Sequence, residues 1–259
     1  MRLLRCGSTA RLRLAEAIEV RRARRQLRSI PAARTVTVIP TIGRDRLVGA
    51  VRSALDQTVR DHHVVVVSDG RALPPLPYDA RLTVIALRRR YGLPALPRNV
   101  GVRVSRSQYV AFLDDDNTWT RDHLESVLPA LASGADLAYS GLEWVAEDGR
   151  QLGTQSVPFD RARLRDDAYV DTNTIVMTRS RLTRFRVIPR RLGDATFEDW
   201  ELAWRSSRRG RVVHVPAVTV RVCVHEGSQF VPRVDLDLDL DLVAEAAAEE
   251  GAGTIAVIS

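Results

Sequence analysis

The chain has no lysine; all 39 of its basic side chains are arginine, a bias of the kind a GC-rich genome imposes. It has only two cysteines, Cys6 and Cys223, far apart and without a partner motif. That excludes a disulfide scaffold and a cysteine-rich zinc site, and it suits a reducing compartment. Aromatic residues make up 5% of the 259 positions, which argues against a nucleic-acid binder, where aromatics usually interleave with basic surface. No stretch approaches the length of apolar chain that spans a bilayer. The N-terminal arginines precede no continuous apolar run with a small-residue cleavage site, so no secretory signal is expected. What remains, 45% hydrophobic and 27% charged, is the composition of a globular protein.

The net charge of +7 is unevenly spread. Residues 1–34 carry ten Arg against Glu16 and Glu19, and residues 235–250 carry seven acidic groups and no basic one. Three regions follow: a basic N-terminal arm over 1–34, a main domain over 35–232, and an acidic segment over 233–259. The arm reads as a helix over 9–29 closed by Pro31. Arginines interleaved with leucines make it a candidate for peripheral contact with the inner face of a membrane, in an otherwise cytoplasmic protein. The repeat Asp235–Leu242 lacks the glycine and glutamate of a calcium loop and reads as an edge strand with a charged outer face or as an acidic tail lying on the basic arm.

In the main domain, β-branched runs at 35–39 and 63–67 and apolar runs at 82–87 and 109–113 read as strands. Helical spacing is seen over 44–57, and helices are also expected over 99–104, 120–132 and 198–208. Strands are expected over 136–140, 142–146, 169–177, 211–215 and 218–224, with a hairpin-like turn at Glu147–Arg150. Strands alternating with helices argue an α/β protein with a mostly parallel central sheet in its first half and a mixed second half.

Ligands of such sheets sit at the carboxyl ends of the strands. Polar punctuation occurs at three such ends: Pro40-Thr41-Ile42-Gly43-Arg44, Ser68-Asp69-Gly70 and Asp114-Asp115-Asp116-Asn117. Consecutive carboxylates after a buried strand repel one another, and a divalent cation shared with a substrate's phosphates relieves that cost. The alternative is a solvated acidic turn. Glu198-Asp199 opens a later helix, where carboxylates are favoured by the helix dipole alone; the functional alternative is a general base. His62, His63 and His214 read as structural, and Trp119 and Trp200 as core residues or sugar-stacking platforms.

Taken in order, Val38-Ile39-Pro40-Thr41, Ser53–Gln57, Val67–Gly70, Arg98-Asn99-Val100-Gly101, Tyr109–Asn117 with Trp119, Glu198-Asp199 and Val224–Ser228 resemble the family 2 glycosyltransferases, over about three quarters of the chain. The chain departs from that pattern at Ser68, where an acidic residue is more usual, and in its proline-rich 71–80 loop. The resemblance implies an inverting enzyme of GT-A fold, with a nucleotide-binding half over 35–117 and an acceptor half over 118–232. It implies a nucleotide diphosphate sugar donor, UDP- or dTDP-linked, a glycan, glycolipid or small-molecule acceptor, and Mn²⁺ or Mg²⁺ as cofactor. Pro40, Thr41, Arg44, Asp69, Arg98, Asn99, Asp114 and Asp115 would line the donor. Asp116, Asp114 and His225 would hold the metal, in the manner of a DXD motif. Asp199, rather than Glu198, would be the catalytic base, and Asn173 lies where sugar or acceptor contacts are often placed. Two other readings are a sugar-phosphate nucleotidyltransferase, for which the loop after the first strand is short and glycine-poor, and a non-catalytic nucleotide-sugar-binding module.

Overall fold

The computed structural model describes residues 10–27, 30–187 and 198–225. All of them lie in the first of two compact units, residues 1–227 and 228–259. The Asp-Leu repeat and Glu226–Ser228 fall outside the described residues.

Chain order gives α1 (Ala10–Gln26), β1 (Thr35–Thr41), α2 (Leu47–Leu55), β2 (His62–Ser68), β3 (Leu82–Ala86), α3 (Ala95–Val104) and β4 (Tyr109–Phe112). It continues with β5 (Thr118–Trp119), α4 (His123–Ala132), β6 (Leu137–Ala146), β7 (Gln151–Gln155), α5 (Arg161–Leu164), β8 (Ile175–Thr178), α6 (Glu198–Ser207) and β9 (Val212–Val224). One sheet joins the strands in the order β3-β2-β1-β4-β8-β6-β9-β5, with β7 paired to β6. The first four of that order are mutually parallel. β8 is antiparallel to both β4 and β6, and β9 runs parallel to β6. This is the mixed, mostly parallel α/β architecture implied by the resemblance, and the sheet continues without a break from the first half into the second.

β1 and β2 are buried at every position, as central strands covered on both faces should be. Alternate side chains serve opposite faces. Val36, Val38, Val65, Val67, Val110 and Phe112 join a core with Leu96 and Val100 of α3 and Leu202 of α6. Ile39, Val64, Val66, Tyr109 and Ala111 join the other core, with Val51 of α2 and Leu124 of α4. α3 lies close on β1 at Gly101, where an added Cβ would stand 2.4 Å from Val38 Cγ1.

The basic segment packs on the domain as α1, with Val20 and Ala23 in the first core. Its two carboxylates are also buried, each 1% exposed. Glu16 accepts hydrogen bonds from Asn99 Nδ2 at 2.9 Å, Arg103 Nη1 at 3.0 Å and Arg184 Nη2 at 2.5 Å. Glu19 accepts from the Tyr91 hydroxyl at 2.8 Å and the Arg88 backbone N–H at 3.2 Å. Among the described residues no helix is long and apolar enough to cross a membrane.

Several boundaries differ from the sequence reading. The two strands expected over 211–224 are one, β9, pairing along β6 with register shifts between Tyr139 and Leu142. Pro216 has no N–H to give the ladder, and a bulge accommodates it without ending the strand. The strands expected over 136–146 likewise merge into β6, because β9 supplies partners along it. The strand expected over 169–177 shrinks to β8, since the Asp171 side chain caps a single 3₁₀ turn over Thr172–Thr174. α3 begins four residues before the expected start at Asn99, with Pro97 in its first turn, where a missing N–H costs nothing.

Candidate active site

Three carboxyl-terminal strand ends bring their polar residues to one edge of the sheet. β1 and β2 lie in register from Thr35–His62 to Thr41–Ser68, so the loops beginning at Ile42 and Asp69 leave side by side, with Pro40 level with Val67. At the end of β4, the Asp115 carboxylate accepts hydrogen bonds from Thr41 Oγ1 at 2.5 Å, Ile42 N–H at 3.3 Å and Arg44 Nη1 at 2.9 Å. Burial pushes its pKa up, while Thr41 and Arg44 pull it back. Arg44 Nη1 also donates to Asp116 Oδ2 at 2.7 Å. The same Asp116 oxygen lies 3.3 Å from His225 Nε2. His225 arrives there because Asn117 Oδ1, in the Asp loop, accepts from the Cys223 N–H at 3.0 Å, holding the end of β9 against that loop.

Asp114 faces another set of partners. Its carboxylate accepts from Arg98 Nη2 at 2.5 Å and from Asn173 Nδ2 at 3.4 Å, and its N–H donates to Asn173 Oδ1 at 2.6 Å. Arg98, 4% exposed, uses its other terminal nitrogen to reach Glu198 Oε1 at 2.7 Å. One guanidinium therefore links the end of β4 to the first turn of α6. Burial disfavours the Arg98 charge, but Asp114 and Glu198 outweigh it, and the pKa is raised. Among the described residues the Arg98 Nε and Glu198 Oε2 atoms are buried without a hydrogen-bond partner.

Asp199 follows Glu198 and is half-buried. Desolvation, then the charges of Glu198 and Asp171, push its pKa up to about 7, against the opposing Trp200 N–H and Arg98. Asp171, bonded by Asn173 Nδ2 at 2.7 Å, is itself raised, chiefly by burial and also by Asp114. The sequence reading gave Asp171 no role; the signal was its spacing two residues before Asn173, which a turn converts into a carboxylate facing the Asp114 network.

Asp69 accepts from the backbone N–H groups of Tyr91 and Gly92 at 2.8 and 2.7 Å, so it pins the loop after β3. Gly70, at φ 68°, permits the close approach this needs: an added Cβ would stand 2.3 Å from the Arg89 carbonyl carbon. Asn99 is not brought to this group. Its side chain is fully buried and is engaged by Glu16 and by the backbone of Phe185, at 2.8 and 2.9 Å for the latter. Trp119 donates to the Asn173 carbonyl at 2.8 Å and stacks on His123 at 4.2 Å, a core placement. Trp200 donates to the Leu164 carbonyl. His62, His63 and His214 bond to Thr37, Thr83 and Ser156 respectively.

Among the described residues no three or more His, Cys, Asp or Glu side chains close around one point. Asp116 and His225 do converge. Mn²⁺ accepts a carboxylate and an imidazole together, whereas Mg²⁺ prefers oxygen ligands throughout; substrate phosphates and water would complete either shell. The donor set therefore fits Mn²⁺ with two ligands from the chain, provided that Arg44 releases Asp116 Oδ2, which it holds at 2.7 Å. Asp114, expected to be a third, is committed to Arg98 and Asn173.

Comparison with known proteins bears on this arrangement. The succinoglycan biosynthesis protein ExoO of Rhizobium meliloti (strain 1021) is 40% identical over 114 residues, covering 42% of this chain and 32% of that protein. ExoW of the same organism is 36% identical over 83 residues, covering 29% of this chain and 26% of its own. The chain thus spans about a third or less of these two curated relatives. Among solved structures, S. aureus TarS (residues 1–349) in complex with UDP-GlcNAc superposes with a TM-score of 0.58 at 17% identity, covering 75% of this chain and 60% of that one. TarS 1–349 with UDP gives 0.54 at 18% identity, covering 74% and 60%. The likeness is one of fold, the GT-A fold. The family described as Glycosyl transferase family 2 matches residues 37–192, more than half of the sequence and the stretch that carries all three strand-end motifs, and the chain belongs to that family.

Proposed function

We propose that the protein transfers a sugar from a nucleotide diphosphate sugar to an acceptor hydroxyl, inverting the anomeric carbon. The observation that carries the proposal is the Arg98 bridge, 2.5 Å to Asp114 and 2.7 Å to Glu198, which supports a donor site and a base site that face each other. UDP-GlcNAc bound to the structural neighbour TarS supports a UDP- or dTDP-linked donor. Relatives named for succinoglycan biosynthesis support a glycan acceptor, with glycolipids and small molecules as the other classes.

In this reading Asp69 receives the imide N–H of the base, and Pro40, Thr41 and Arg44 line the ribose. Arg44 is paired with Asp115 and Asp116 and would turn its positive charge to the diphosphate by releasing one of them. Arg98 holds Asp114 in place to accept hydroxyls of the ribose and sugar. Asn99 acts at one remove, fixing α3 to the 185 segment and so holding Arg98. Asp116 and His225 would hold Mn²⁺ or Mg²⁺, which supplies positive charge for the departing diphosphate. Asp199 takes the proton of the acceptor hydroxyl as its oxygen attacks the anomeric carbon. The bond from that carbon to the diphosphate breaks on the opposite face, and its electron pair leaves with the diphosphate. Desolvation suits Asp199 to the role, because a raised pKa makes it a stronger base.

The test is the variant Asp199→Asn, assayed with UDP-sugars and Mn²⁺ for release of UDP and for transfer to glycan acceptors. Turnover is expected to fall about 10²–10⁴-fold, the usual worth of a general base, with UDP affinity by calorimetry unchanged. Turnover at the wild-type rate would remove Asp199 from the base position, and release of pyrophosphate from UTP and a sugar 1-phosphate, with no UDP released from UDP-sugars, would make the protein a nucleotidyltransferase.

A further inference from the structure

We propose that the outer face of α1, with the cavity beside it, is a docking site for the phosphate headgroups of an anionic lipid surface. The proposal does not depend on the transferase reading. At ~100° per residue, the buried residues Glu16, Glu19, Val20 and Ala23 share one side of α1, and Leu14, Ile18, Arg21 and Arg25 share the opposite side. Leu14 is 63% and Ile18 46% exposed, so two of the six exposed large hydrophobics among the described residues are neighbours on this stripe.

Beside the stripe lies a cavity of about 620 Å³ lined by Ile18, Arg21, Arg22, Arg25, Gln26 and Arg88. Four arginines thus meet at one opening. Arg22 is anchored, donating to the Ala86 carbonyl at 2.9 Å and reaching Glu19 at 3.5 Å. Among the described residues Arg21, Arg25 and Arg88 are exposed and pair with no carboxylate. Like charges gathered without counter-charge are unfavourable unless an anion joins them. Guanidinium groups bind phosphate and carboxylate oxygens alike in bidentate fashion, and a surface of phosphate groups can engage several arginines at once.

The adjoining apolar pair decides what carries the phosphate. A nucleic acid would call for aromatic platforms, and neither α1 nor the cavity lining has one. A bilayer interface accepts both parts: Leu14 and Ile18 enter the acyl boundary while the arginines stay at headgroup level. Glu16 and Glu19 make this orientation unambiguous, because they hold the inner face against α3 and the loop after β3.

The experiment is vesicle co-sedimentation of the full chain, with phosphatidylcholine alone and with phosphatidylglycerol added. Binding is expected only to the anionic vesicles and is expected to weaken as salt is raised. The combined variant Arg21→Gln, Arg25→Gln, Arg88→Gln should bind about a hundredfold more weakly, at the usual contribution of a basic residue near such a surface. A control of equal charge, Arg150→Gln, Arg208→Gln, Arg209→Gln, also changes exposed side chains and should bind like wild type. Leu14→Ser with Ile18→Ser should cost about tenfold with no change of charge. Thermal melts check that each variant is folded. Undiminished binding by the first variant, an equal loss in the control, or binding to phosphatidylcholine alone overturns the proposal. Saturable calorimetric binding of inorganic phosphate or of an RNA oligonucleotide, without vesicle binding, overturns the lipid occupant.

Discussion

The Arg98 guanidinium decides most of the site's electrostatics. It is the buried cation shared by Asp114 and Glu198, and it lies near Asp199. Asp199 keeps a raised pKa despite it, because desolvation and two neighbouring carboxylates outweigh one arginine. A base must be unprotonated to work, so its protonation below about pH 7 removes activity. Turnover is therefore expected to climb with pH through about 7, by about tenfold per unit on the acid limb, in a rate profile at saturating donor. A flat profile from about pH 5 to 7 would contradict the assignment. The convergence of Asp116 and His225 carries a second expectation at this scale. Asp116→Asn and His225→Ala should each weaken UDP binding about 10-fold or more when Mn²⁺ is present and leave it unchanged in chelator, as calorimetry would read. Equal effects in both conditions would mean these side chains touch the nucleotide rather than an ion.

At the scale of elements, the site depends on how closely α3 lies on β1, because Arg98 is carried on α3 while Thr41 ends β1. Gly101 sets that distance, and a Cβ there would overlap Val38. Gly101→Ala is expected to destabilise the fold by about 1–3 kcal/mol, the usual cost of overpacking. Because the two positions touch, adding Val38→Ala should recover part of that loss, a non-additivity readable in urea denaturation midpoints. Full additivity would show that the helix moves away without strain. The acidic start of α6 also belongs to this scale. Glu198, Asp199 and Glu201 fall in its first turn, where the helix dipole favours them, so a structural preference and a catalytic use coincide in the same residues.

At the scale of the whole molecule, two opposed titrations shape stability. His62 and His123 are buried and their pKa values are lowered to about 3, chiefly by desolvation. In the unfolded chain they take up protons near pH 6.5, while in the folded chain they do not. Stability therefore falls as pH drops below 6.5, by about 1.4 kcal/mol per pH unit for each histidine. Asp115, Asp171 and Asp199 act in the other sense: their raised values mean the folded chain keeps protons the unfolded one releases, so their contribution declines as pH rises above 3.8. The variant His62→Gln isolates one histidine. Its stability measured against wild type should flatten by about 1.4 kcal/mol per unit below pH 6.5, and an unchanged slope would mean that His62 titrates normally.

The order of strands and helices as far as β4, the strand-end positions of Thr41, Asp69 and Asp114–Asp116, and the acidic start of α6 were legible in the sequence, whereas β5, β7 and α5 were not. Each is written in local terms, as a run of apolar side chains, a break in it, or a charge at a helix start. Partnership was not legible. Arg98 and Glu198 are 100 positions apart, and no local pattern announces that one guanidinium will bridge β4 to α6. Nor does one announce that Asn99, two carboxylates of a basic helix and Asp171 are spent on holding the frame. The same holds for β9, which local turn chemistry divides and the facing strand β6 joins. Periodicity is a property of neighbours along the chain, whereas burial and ion pairing are properties of neighbours in space, and only the packed sheet decided which carboxylates stand near which arginines.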